Sequence, residues 1–178
     1  MTFHAIIVAG GSGSRSGGRK QWMPLGGRAV LDWSVDAFAA AGAAQIVVVV
    51  PLDDVARAEA AYGDRAQVTA GGAQRAESVV NGLKALTAAA DDIVMIHDAA
   101  RPLADRRLWA AVLEAAAAEG GALPVRPQPG LLARDGTPLG GRLVAVQTPQ
   151  AFRADRLLEA YRQAARTGFD GTDTAACV

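Results

Sequence analysis

The chain has 178 residues, 51% hydrophobic and 20% charged, which is enough for one domain with its own core. Its 18 lysines and arginines balance 18 aspartates and glutamates, so it lacks the basic excess on which general nucleic-acid and membrane-surface binders rely. A single cysteine, Cys177, excludes an internal disulfide, and no signal-like leader or bilayer-length apolar stretch is present, so a cytoplasmic protein is expected.

In chain order, the apolar run 5–8 reads as a buried first strand and leads into a glycine-rich loop. A helix is predicted over 30–41. Strand 46–50 follows, an unbroken isoleucine and valine run closed by Pro51, the pattern of a strand covered on both faces. Next come a helix over 53–62 with Asp53 as its cap, a strand over 67–69 and a helix over 75–86. Strand 93–96, a helix over 105–118 capped by Asp105, strands 122–125 and 143–146, and a helix over 153–166 complete the series. Alternation of this kind predicts one α/β domain over residues 1–178, with a mostly parallel sheet between helices.

Ligands of such sheets bind beyond the carboxyl ends of the strands, so the turns there are the places to search. After the first strand, residues 9–20 hold five glycines and three cations, Arg15, Arg19 and Lys20. Backbone N–H groups of such a loop can wrap phosphate oxygens, because no side chain keeps the phosphates away. The same residues also fit a plain flexible turn with solvated cations. No Gly-Lys-Ser/Thr closes the run, which excludes a P-loop. The third glycine of a dinucleotide fingerprint would fall on Ser16, and its acidic partner is missing from a second strand. A second glycine turn, Gly71-Gly72, opens a helix that carries Arg75 and Ser78 in its first turn, where N–H donors are expected to be free. His97-Asp98-Ala99-Ala100-Arg101-Pro102 follows the fourth strand, and Gln147-Thr148-Pro149-Gln150-Ala151-Phe152 follows run 143–146. Taken singly, Asp98 with Arg101 fits a surface ion pair, Thr148 a helix cap, and His97 a structural group at a sheet end.

Together these turns resemble the 2-C-methyl-D-erythritol 4-phosphate cytidylyltransferases, within the sugar nucleotidyltransferases. The matching blocks occur in family order from near residue 3 to the end, including Thr172-Asp173. The resemblance implies a Rossmann-like nucleotidyltransferase fold of three αβα layers with a mostly parallel twisted sheet. It also implies transfer of CMP from CTP to a polyol phosphate in isoprenoid biosynthesis, with Mg²⁺ as cofactor, and a homodimer. Carried over by position, Arg15 and Lys20 match the transition-state cations, and Ala9, Gly10, Gly11, Ser12 and Gly13 the triphosphate and base cradle. Gly72, Arg75 and Ser78 fall at the cytosine site. Asp98 and Arg101 match positions holding ribose or the acceptor, with Arg142, Thr148 and Thr172 on the acceptor side.

The reaction suits that residue set. An ionised phosphate attacks phosphorus without a strong general base, so the protein mainly positions its substrates and neutralises charge.

Several positions depart from the family pattern. Arg15 and Lys20 stand closer together than expected, and Arg19 replaces a proline. Pro127-Gln128-Pro129 stands where an Asp-Thr pair is usual, Arg142 matches its counterpart only approximately, and Thr172-Asp173-Thr174 replaces Thr-Asp-Asp or Thr-Asp-Glu. The family pattern continues past the position of Val178, which leads to an expectation of CTP binding stronger than turnover, weak acceptor binding and a weak or absent dimer. The alternatives are a ribitol 5-phosphate-type cytidylyltransferase, a molybdopterin-guanylyltransferase-like enzyme, and a CTP-binding domain without turnover.

Overall fold

The computed structural model describes residues 1–11, 18–128, 135, 137, 139–141, 143–168 and 173–178. Among them, six strands form a central sheet in the order β5-β4-β1-β6-β10-β7. These are β1 (Phe3–Val8), β4 (Gln45–Val50), β5 (Gln67–Ala70), β6 (Ile93–Asp98), β7 (Gly121–Ala122) and β10 (Gln150–Arg153). β1 pairs in parallel with β4 on one side and β6 on the other, so the chain reverses its direction of travel across the sheet at β1. The crevice between the carboxyl ends of β1 and β6 is therefore the switch point of the sheet.

Alternation along the strands explains the layers. Ala5 and Ile7 of β1, Val48 and Val50 of β4, and Met95 of β6 pack in one core cluster. That cluster is covered by α1 (Val30–Ala40), α2 (Val55–Tyr62) and α4 (Arg106–Glu119) through Leu31, Phe38, Tyr62 and Trp109. Ile6, Val47, Val49 and Ile96 point the other way, against Val79 and Leu83 of α3 (Arg75–Ala85) and Leu157 of α5 (Ala154–Thr167). Both faces are buried, as the 46–50 run predicts, and the result is a three-layer αβα sandwich.

Local signals set several boundaries. Asp105 caps α4 by accepting from Leu108 N at 2.8 Å, and Gly120 ends that helix at φ 86°. Asp53 does not cap α2: it lies inside a short 3-10 turn, Leu52–Asp54, and its carboxylate binds Arg19 at 2.5 Å instead.

The second half of the sheet differs from the sequence reading. Run 122–125 splits, because Gly121–Ala122 joins the central sheet while β8 (Val125–Pro127) leaves it. β9 (Val144–Val146) pairs antiparallel with β8, outside the central sheet. The strand that fills the place beside β6 is β10, antiparallel to both β6 and β7. Only four residues long and of mixed polarity, β10 carries no periodic signal. Its place is decided by pairing with strands distant in the chain. A further hairpin, β2 (Pro24–Leu25) with β3 (Arg28–Ala29), precedes α1.

Candidate active site

The two glycine turns meet at one hydroxyl. Ser78, in the first turn of α3, is 2% exposed. Its Oγ accepts from Gly72 N at 3.1 Å and donates to Gln74 O at 3.1 Å. A Cβ on Gly10 would lie 3.4 Å from that oxygen, and a Cβ on Gly71 only 2.9 Å from it. A Cβ on Gly72 would fall 2.3 Å from the Cβ of Glu77. Glycine at 71 and 72 is therefore set by close packing of the turn on the helix.

The donors of this turn are not free, as the sequence reading expects them to be. Glu77 Oε2 accepts from Ala73 N at 2.7 Å and from Gln74 N at 3.3 Å, while Gly72 N is taken by Ser78. The reason lies in the sequence: a glutamate three residues after Gln74 reaches back over the helix start. Asn81 adds a bond from Nδ2 to Ala70 O at 3.0 Å, which ties α3 to the end of β5.

Across the switch point, Asp98 holds two arginines. Arg75 Nε donates to its Oδ1 at 3.1 Å, and Arg101 Nε approaches its Oδ2 at 3.4 Å. Arg75 also donates from Nη1 to Thr174 Oγ1 at 3.0 Å, and Arg101 from Nη1 to Gln147 Oε1. Two guanidinium groups thus face the Asp98 carboxylate beside the second glycine turn, which carries the Glu77 carboxylate itself. Asp98 is itself fixed from behind, since its N–H donates to Thr148 Oγ1 at 3.2 Å. Thr148 is buried, and its hydroxyl also lies 3.2 Å from Nδ1 of His97. His97 is fully buried against the stacked rings of Phe38 and Trp109, and burial pushes its imidazole down to about 4. It is neutral at pH 7 and belongs to the scaffold of the site.

Lys20 is exposed at the start of a 3-10 turn, Lys20–Trp22, with Met23 N bonded to its carbonyl at 3.1 Å. Ala9 is buried and its N–H continues the sheet ladder to Val49 O at 2.8 Å. Gly11 is exposed, and among the described residues nothing beyond its chain neighbours comes within 4 Å of a Cβ placed on it. Ser12, Gly13, Arg15, Arg142 and Thr172 lie outside the described residues.

Comparison with known proteins decides the family. The family model described as 2-C-methyl-D-erythritol 4-phosphate cytidylyltransferase matches residues 3–178. The chain belongs to that family. A cytidylyltransferase of this name from Cereibacter sphaeroides is 45% identical over 177 residues, covering 91% of this chain and 77% of the relative. A protein named bifunctional enzyme IspD/IspF from an Anaeromyxobacter species is 44% identical over 188 residues, covering 98% of this chain and 48% of its own length. The chain thus spans about half the length of that bifunctional relative. The crystal structure of the Thermus thermophilus cytidylyltransferase superposes with a TM-score of 0.80 at 36% identity, over 99% of this chain and 83% of that one.

Members of this cytidylyltransferase family are Rossmann-like nucleotidyltransferases, and the observed sheet and layers are of that kind. Of the residues singled out in the sequence, the fold gathers Gly10, Gly72 and Ser78 into one cluster and Arg75, Asp98, Arg101 and Thr148 into a neighbouring one. Arg75 joins the two, as the first residue of α3 bonded to the end of β6. Sequence reading assigned no role to Gln147, Gln150 or Asp173. Gln150 Nε2 donates to both carboxylate oxygens of Asp173 at 3.0 Å, fastening the 3-10 turn Thr174–Ala176 over β10. Gln150 and Asp173 both sit inside quoted motifs, but nothing in their spacing of 23 residues signals that they meet. No helix among the described residues is long and apolar enough to cross a membrane.

Proposed function

We propose that this chain transfers CMP from CTP to 2-C-methyl-D-erythritol 4-phosphate and releases pyrophosphate. The observation that carries the reading is the convergence of two glycine turns on Ser78 beside the Arg75–Asp98–Arg101 cluster, in a chain of this family. In the proposed mechanism, the cytosine edge meets the Gly72–Ser78 turn and Arg75, and the phosphates lie along residues 9–13. Asp98 and Arg101 hold the ribose or the acceptor, and Arg142, Thr148 and Thr172 serve the acceptor side.

A phosphate oxygen of the acceptor attacks the α-phosphorus in line, and the bond to the departing pyrophosphate breaks. Lys20 and Arg15 neutralise the charge that gathers on the equatorial oxygens and the leaving group. Because the nucleophile is already ionised near neutral pH, no proton has to be removed at the moment of attack. Neutral, buried His97 is consistent with that economy.

The described residues hold no group of three His, Cys, Asp or Glu side chains placed around a metal. Both oxygens of Asp98 are turned to arginines. These residues do not fit a metal caged by the protein, and no step is routed through one. Magnesium enters the proposal as the counter-ion that CTP brings on its phosphates. A cytoplasmic location is part of the same proposal.

Thermal titration with CTP, UTP, ATP and GTP in the presence of Mg²⁺ tests the base preference. A nucleotide at 100 times its Kd adds about 2.7 kcal/mol of stability. CTP ranks first under this reading, and pyrophosphate is released with 2-C-methyl-D-erythritol 4-phosphate. GTP ranking first overturns it in favour of a molybdopterin-guanylyltransferase-like enzyme. Preferred turnover of ribitol 5-phosphate replaces the acceptor, and CTP binding without pyrophosphate release under any acceptor makes the chain a binding domain.

A further inference from the structure

The turn that carries Lys20 is tied at both ends to one carboxylate. Asp54 closes the 3-10 turn after β4 and is 7% exposed. Its Oδ1 faces Arg19 Nη1 at 2.6 Å, and its Oδ2 accepts from Trp22 Nε1 at 2.8 Å. Arg19 and Trp22 are the residues on either side of Lys20-Gln21, and Trp22 N donates to Arg19 O at 3.0 Å to close the loop between them. Gln21 is buried beneath the turn at 4% exposure.

The anchoring continues outward from Asp54. The Arg57 guanidinium lies 4.1 Å from the centre of the Trp22 ring, and Tyr62 stacks with that ring at 6.3 Å. Arg19 spends a second nitrogen on Asp53 at 2.5 Å. Its backbone, at φ −71°, has the angle a proline would impose. Where the family pattern has proline, this chain therefore reaches the same φ with a residue whose side chain supplies a charged tie.

Charge-assisted bonds of this type are short and directional, so two of them on one carboxylate define the turn more firmly than either alone. A long lysine side chain needs such a base. Its ammonium must meet the substrate within a fraction of an ångström, because a displacement of about 1 Å costs on the order of 10²-fold in rate.

We propose that Asp54 is a positioning residue for Lys20: by holding Arg19 with one oxygen and Trp22 with the other, it sets where the Lys20 ammonium meets the phosphates. The proposal rests on the reading of Lys20 as a cation of the transfer reaction. It differs from a purely structural staple between the 19–30 segment and α2, which would affect stability and leave Lys20 alone.

The test is a double-mutant cycle with a chemical readout beside it. Asp54→Ala lowers kcat about 10- to 100-fold while the KM for CTP stays within about threefold. In a Lys20→Ala background the same substitution changes kcat less than about threefold, since the ammonium it positions is gone. Lys20 and Lys84 are the two lysines of the chain, so acetylation of each amine is read separately by mass spectrometry. CTP with Mg²⁺ slows acetylation of Lys20 relative to Lys84 in the parent, and this protection is lost in Asp54→Ala. Should Asp54→Ala fail to fold, Asp54→Asn and Arg19→Ala carry the same cycle. Additive losses in the cycle, a KM effect with kcat unchanged, or protection of Lys20 retained in the variant each overturn the positioning role alone. A silent Lys20→Ala together with unprotected Lys20 in the parent overturns the reading of Lys20 and the positioning role with it.

Discussion

His97 should make the protein lose stability on mild acidification, well before its carboxylates titrate. The imidazole is fully buried at the end of β6, edge-on to Phe38 at 5.6 Å and tilted against Trp109 at 5.9 Å. Loss of solvent is the largest cause of its lowered pKa. The Asp98 charge pulls the other way, the Arg101 charge works with burial, and the sum places the group at about 4 against 6.5 in the unfolded chain. The unfolded state therefore binds more protons than the native state between those values, and stability falls as pH drops through that window. At pH 7.5 the contribution is complete. By pH 5 the difference amounts to about 2 kcal/mol, and its limit below pH 4 is roughly 3.4 kcal/mol, from 1.36 kcal/mol per pKa unit. Asp36, Asp53, Asp92 and Asp155 are all held below the ordinary carboxylate range by arginine or histidine partners, so their losses begin at lower pH. Urea unfolding of the parent and of His97→Asn at pH 7.5 and pH 5 isolates the effect, because subtraction removes every group the two proteins share. Asparagine keeps a polar atom near Nδ1 for Thr148 and cannot titrate. The parent should lose about 2 kcal/mol more than the variant over that interval. Equal losses in the two proteins would refute the assignment of a neutral, buried His97.

Lys20→Ala should lower kcat by on the order of 10²–10³, about 2.7–4 kcal/mol, with the fold retained by circular dichroism. Kinetics within a few-fold of the parent would remove Lys20 from the mechanism. Ser78→Ala leaves Gly72 N–H without its partner, while Gln74 O keeps the bond from the backbone N–H of residue 78. It should weaken CTP binding about tenfold in a thermal titration, with an effect on the order of 1–2 kcal/mol. Gly82→Ala places a Cβ 2.6 Å from Ile6 Cγ2 and 3.2 Å from Val49 Cγ2. Overpacking there costs about 1–3 kcal/mol and outweighs the gain in helix propensity of about 1 kcal/mol, so the melting temperature should fall.

The sequence by itself determined the layers and the addresses of the site. Isoleucine and valine at 46–50 demanded a strand covered on both faces, and the Val47–Val49 and Val48–Val50 sets do face opposite cores. Asp105 announced its helix, because a cap acts within one turn and its chemistry is local. Gly71, Gly72 and Ser78 were legible for the same reason: the contacts that require them span seven residues or fewer. Tertiary structure decided the remainder. Asp53 looks like a cap in isolation and becomes a partner of Arg19, 34 residues away, once β4 and the Lys20 turn are neighbours. Four residues with no periodicity become β10, because the edge of β6 offers them a complete ladder. Arg75 meets Asp98 and Thr174, at separations of 23 and 99 residues, only when α3, β6 and the final turn converge on the switch point. Local chemistry depends on neighbours in the chain and can be read there, whereas a charge finds its partner only after the sheet has chosen which strand ends lie side by side.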